Sequence, residues 1–128
     1  GSARRRKMKS PRLLAPGGTD LHQKANWGSC AVVANSASLA KKNYGAEIDK
    51  HTAVIRFNDA PTKGFEKQVG SKTTLRVQNV ERCGFAERAG EMCLQYTKTH
   101  KCKNPEVRQR GSTCNWQTPS QRLLDYTL

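Results

Sequence analysis

Two asparagines and a serine offer this chain its clearest binding chemistry. Asn35 and Ser36 directly follow the apolar run CAVVA at 30–34, and Asn58 directly follows AVIRF at 53–57. A carboxamide both donates and accepts hydrogen bonds without bringing charge. Small polar loops after strands are where open α/β folds hold uncharged parts of nucleotides. The same residues also suit a plainer role, ending strands through Asx-turns. His51 invites reading as a general base, but a lone histidine with no partner at fixed spacing reads as a packed or hydrogen-bonded side chain. The cysteines at 30, 83, 93, 102 and 114 lack the tight C-x2-C spacing of zinc sites and do not cluster with histidines. Their wide spacing suits disulfides in an oxidising compartment, with one thiol left over.

The elements that must carry these residues follow from local pattern. CAVVA is short, continuous and β-branched, as in a buried parallel strand. Ser36 and Ser38 suit the cap of a short helix that Asn43 and Gly45 would end, and AEIDKH gives another helical turn. AVIRF reads as the second strand, DAP at 59–61 as a turn, and GFEKQVG as a small helix closed by Gly70. TTLRVQNV at 73–80 alternates apolar and polar residues, a third strand. Strand, helix, strand, helix, strand points to a parallel sheet with right-handed crossovers. Further on, FAERAGEMCLQY reads as an amphipathic helix, 98–120 as loop, and QRLLDYTL as the start of a helix or strand. Residues 1–26 read as a basic tail and linker, broken by Pro11, Pro16 and Gly17-Gly18.

The chain has 128 residues, enough for one domain, and 23 Lys+Arg against 10 Asp+Glu, a formal charge of +13. Seven of the bases lie in residues 1–24 against one acid, Asp20, yet the remainder is also basic. Anionic partners fit: nucleotides, phosphates, acidic glycans, nucleic acid or a membrane surface. No apolar run is long enough to span a bilayer. The N-terminus has no hydrophobic segment of the signal-peptide kind.

CAVVANS, followed by YGAEIDKHTAVIRFNDAPTKGFEKQVGSKTT, resembles the large sialylmotif of the eukaryotic sialyltransferases. The resemblance covers about 27–80, with the motif itself at 30–74. It implies an α/β, Rossmann-like parallel sheet, the sialyltransferase variant of the GT-A fold, here in its N-terminal half. The domain would run over 27–128, with a cysteine-containing segment at 83–128. By similarity, Asn35 and Asn58 would contact the nucleotide of CMP-sialic acid, and Ser36 the loop backbone or phosphate. Arg56 reads as a buried charge partner for Asp49 or Glu66. Ala34 stands where the family usually has Gly, and would be strained if φ is positive there. The aspartates at 20, 49, 59 and 125 form no Asp-x-Asp element, and the family works without a metal or other cofactor.

The resemblance also implies that Cys30 pairs with a cysteine of a small sialylmotif, of which TPSQ at 118–121 is a faint echo. Cys30 would then lack its partner, and the other four cysteines would pair locally in one of three ways. The histidine base of the family belongs to a later motif, expected beyond Leu128. No catalytic residue is therefore assigned within these residues, and the chain is expected to be a fragment without transfer activity of its own. The implied reaction moves sialic acid to a glycan on a glycoprotein or glycolipid, with inversion, in the Golgi lumen. A membrane anchor is expected in the full-length protein, and nucleic acid is not an expected partner. A catalytically degenerate relative, a transferase of another sugar, and a basic nucleic-acid-binding module are the alternatives.

Overall fold

A computed structural model describes residues 21–96 and 101–117. Five strands, β1 (Cys30–Val33), β2 (Ala53–Phe57), β3 (Leu75–Gln78), β4 (Met92–Gln95) and β5 (Asn115–Gln117), form one sheet in chain order. Every neighbouring pair is parallel, with Val32 opposite Ile55, Ile55 opposite Leu75, and Leu75 opposite Met92. The expected Rossmann-like α/β architecture is therefore present.

Alternation along the strands separates two unlike faces. One carries Leu75, Met92 and Leu94, which with Leu21 make the apolar core, while Ala25, Trp27, Ile55 and Val77 pack around it. The opposite face buries Val54, Arg56, Arg76, Gln78 and Cys93. Leu21 lies in a 3₁₀ turn at Leu21–Gln23, so packing begins upstream of the domain boundary expected at residue 27.

Several elements differ from the pattern-based expectation. β1 is an outer strand among the described residues, pairing only with β2, and Val32 on it is 64% exposed rather than buried. Residues 85–96 are not a helix. They form turns that lead into β4, where ladder pairing to β3 overrides the helical propensity of AERAGEM. The stretch expected as loop contains helix α3 (Pro105–Arg110) and β5. Asn104 caps α3 by accepting from the Glu106 N–H, and Pro105 opens the helix without losing a hydrogen bond. Residues 1–20 and 118–128, including TPSQ and the QRLLDYTL segment that runs to Leu128, lie outside the described residues.

The expected small helix is α2 (Glu66–Val69), and Gly70 ends it at φ 75°. Ser36 caps a 3₁₀ segment at Ala37–Lys41 by accepting from the Ser38 N–H. Gly45 does not stop this segment; it opens helix α1 (Gly45–Asp49). A Cβ there would collide with the carbonyl oxygens of Glu66 and Lys67 and the Gly70 nitrogen, so the glycine permits close approach of α1 to α2.

Cys83 pairs with Cys102 and Cys93 with Cys114, tying the loop before β4 and β4 itself to the segments around α3. Cys30 is an exposed free thiol, its Sγ 3.4 Å from the Trp27 carbonyl oxygen.

Gly45→Ala is expected to cost about 2 kcal/mol or more through overpacking. Gly64→Ala, where φ is +86° but a Cβ meets open space, is expected to cost about 1 kcal/mol. Urea unfolding of the two variants checks the order.

Candidate functional site

A cavity of about 420 Å³ opens at the carboxyl ends of β1 and β2. One wall is the chain leaving β1, from Val33 through Ala34, Asn35 and Ser36, with Leu39 and Ala40 of the 3₁₀ segment behind it. The other is the loop leaving β2, Asp59–Pro61. Val69 flanks it from α2 and Phe65 from the residue that precedes that helix, and Arg56 lines it from β2. Its size lies in the range of small-molecule sites.

Asn35 and Ser36 line this cavity. Asn35 is exposed and its carboxamide has no hydrogen-bond partner among the described residues. Ser36 Oγ is 2.8 Å from Ser38 Oγ and also accepts from the Ser38 N–H. Ala34 does not have a positive φ, so the methyl group there brings no backbone strain.

Asn58 sits differently. It has φ 52°, the one non-glycine positive φ among the described residues, a conformation asparagine tolerates better than most side chains. Its Oδ1 accepts from the Asn79 N–H at 3.0 Å, its carbonyl accepts from Arg76 Nη1 at 3.2 Å, and its N–H donates to the Val77 carbonyl at 2.9 Å. It does not line the cavity. Its conformation redirects the chain so that Asp59–Pro61 do. Asp59 is itself in a half-exposed pair with Arg82 at 3.4 Å, a contact of little energetic weight. His51 is off the cavity, and its backbone carbonyl accepts from Lys72 Nζ at 2.7 Å. Among the described residues no histidine lines the cavity, and the base expected beyond Leu128 lies outside them.

Arg76 is the group the sequence did not reveal. It is fully buried, and its guanidinium pairs with Glu87 at 2.6 Å and Glu91 at 2.9 Å. The same guanidinium donates to the carbonyls of Asn58 and Ala60, the latter at 2.8 Å. Glu87 also accepts from the Thr62 N–H and hydroxyl and from the Lys63 N–H. Arg76 and Glu87 therefore hold the loop that forms one cavity wall from both of its ends. The two glutamates four residues apart in FAERAGE were a signal, but one hidden within an apparent helix.

Arg56 is 2% exposed, as its place in an apolar strand implies. Its partners are not those expected. Nε and Nη2 donate to the Lys72 carbonyl at 3.0 and 2.7 Å, and Nε also to Thr73 Oγ1. The Asp49 carboxylate is instead filled by the Ser71 N–H and hydroxyl and the Lys72 N–H, and Glu66 accepts from the Gly64 N–H. Burial and the neighbouring Arg76 push the Arg56 pKa down, while Asp49, Glu87 and Glu91 push it back at longer range. Among the described residues, no group of three His, Cys, Asp or Glu side chains is arranged to hold a metal ion. No helix there is long and apolar enough to cross a membrane.

Burial raises the pKa of both Asp49 and Glu87, yet their backbone and hydroxyl donors and the nearby arginines outweigh it and hold both below the ordinary value. Folded values below the unfolded ones mean stability that is complete above the ordinary carboxylate pKa of about 4 and lost as pH falls through the folded values. Unfolding measured across pH is thus expected to show acid destabilisation below about pH 4. Glu87→Gln should flatten part of that slope and cost about 2 kcal/mol at neutral pH, because Arg76 loses a charged partner.

The geometry can be set beside known proteins. Beta-galactoside alpha-2,6-sialyltransferase 2 of Gallus gallus is 55% identical over 53 residues, 41% of this chain and 10% of its own length. Beta-galactoside alpha-2,6-sialyltransferase 1 of Homo sapiens is also 55% identical over 53 residues, 41% of this chain and 13% of that protein. A solved mammalian sialyltransferase, in complex with Gal-beta-1-3GalNAc-ortho-nitrophenol, superposes with a TM-score of 0.62 at 26% identity, covering 94% of this chain and 55% of its own. The chain thus matches about half of that structure and a much smaller share of the curated relatives. The model of glycosyltransferase family 29 (sialyltransferase) matches residues 6–107. The chain belongs to this family of sialyltransferases.

Proposed function

We propose that this chain is the donor-binding part of a sialyltransferase, taking CMP-sialic acid into the cavity at the ends of β1 and β2. The observation that carries the reading is the position of Asn35 and Ser36. They fall where the family motif expects donor contacts, and they border that cavity in a chain of the family. An uncharged carboxamide beside apolar walls suits a base and ribose, which need hydrogen bonds without ion pairing. Asn58 contributes indirectly, by shaping the loop that carries Asp59–Pro61 to the cavity.

In the whole protein, an acceptor hydroxyl activated by a histidine base would displace CMP from the anomeric carbon with inversion. Holding the donor in line is the part assigned to these residues. The names of the sequence relatives support a β-galactoside acceptor, and the family supports a Golgi setting. No metal is assigned to the donor site, since a CMP-sugar carries a single phosphate to neutralise.

Calorimetry with CMP, UMP, AMP and duplex DNA at two salt concentrations tests the reading. CMP is expected to bind more tightly than UMP or AMP, with a shallow salt dependence, and Asn35→Ala to weaken it about tenfold. Binding dominated by DNA with a steep salt slope would contradict it.

A further inference from the structure

Arg56 lies at the wall of the cavity with more charge than its known contacts use. Its guanidinium has five N–H donors. The contacts of Nε and Nη2 to Lys72 and Thr73 account for one edge, and Nη1 has no hydrogen-bond partner among the described residues. No carboxylate among those residues lies within ion-pair distance of it. The nearby acids are already engaged: Asp49 by Ser71 and Lys72, Glu87 and Glu91 by Arg76. A buried cation held only by neutral acceptors is costly, and an anion placed against it offsets that cost.

The geometry of the cavity adds a second observation. Arg56 borders the same cavity as Asn35 and Ser36, so one ligand filling it meets neutral hydrogen-bonding groups and a cation. The other charged group there, Asp59, is drawn toward Arg82. Lys72 and Thr73 also fix the plane of the guanidinium, so little side-chain entropy remains to be lost when a ligand arrives.

We propose that Arg56 is the oxyanion-binding residue of this cavity, presenting Nη1 to a phosphate or carboxylate group of the ligand. The oxyanion site stands on the residues above; that a CMP-sugar supplies the group rests on the donor reading. Such a donor has both kinds of group, a phosphodiester and a sialate carboxylate. Arg56 then does double duty, holding the 72–73 loop on one edge and the ligand on the other.

The test is titration of the ¹⁵N-labelled 128-residue chain with inorganic phosphate, free sialic acid, CMP and cytidine. Phosphate or sialic acid is expected to shift the Arg56 side-chain and Asn35 amide resonances, the stronger of the two identifying the group. CMP should bind about tenfold or more tightly than cytidine, and Arg56→Gln should remove that advantage while leaving cytidine unchanged. Arg56→Lys, which keeps the charge, should retain the anion response even if Arg56→Gln does not fold. No shift at Arg56 with any of the anions, or the same CMP affinity in a folded Arg56→Gln variant, overturns the inference; in the second case the donor reading survives. If instead phosphate binds through Arg56 but CMP binds no better than phosphate, the oxyanion site stands and the nucleotide reading falls.

Discussion

The fold around the candidate site depends on one buried cation. Arg76 stands in the middle strand of the sheet, fully enclosed, and its guanidinium meets two carboxylates and two backbone carbonyls. With both carboxylates in place the desolvation of the charge is offset, and removing either leaves a buried charge under-compensated. Glu87 extends the network to the backbone of Thr62 and Lys63, and the Phe85 ring lies 4.9 Å from the guanidinium carbon. Three segments distant in sequence, the loop after β2, strand β3 and the loop before β4, are thereby joined at one point. The wall of the cavity is one product of that junction.

The cavity itself shows a division of labour. Its walls are largely apolar or uncharged, with Asn35 and Ser36 supplying neutral hydrogen-bonding groups from the β1 end. Asn58, at the equivalent place after β2, spends its amide oxygen and its carbonyl on internal contacts. The two asparagines looked equivalent as residues following apolar runs. In the folded chain one faces the cavity, and the other sets the backbone that forms it. The site follows the general rule that α/β ligands lie beyond the carboxyl ends of strands.

How much of this was legible depends on the range of the interactions. β1, β2 and β3 could be read from their β-branched or alternating runs, and α2 from its length and the terminal Gly70. Asn35 and Ser36 were legible because their positions depend only on the strand just before them. β4 was not, since MCLQ follows strong helix formers and becomes a strand only through pairing with β3. α3 had readable local signals in Asn104-Pro105 and Gly111, obscured by the polar, loop-like composition around them. Arg76 and Glu87 could not be paired from sequence, because each would read as solvated until the sheet brings Thr62, Arg76 and Glu87 together. Arg56 in an apolar strand reads as buried and is so, but a backbone carbonyl and a hydroxyl as its partners are not visible in a list of charges.

The proposed place of the nucleotide-sugar donor is the carboxyl ends of β1 and β2. A structure of the chain determined with CMP bound tests it most directly. CMP is expected between the Ala34–Ser36 segment and the Asp59–Pro61 loop, with the Asn35 carboxamide hydrogen-bonded to it. CMP bound instead on the basic surface of α3, beside Arg108 and Arg110, would contradict it.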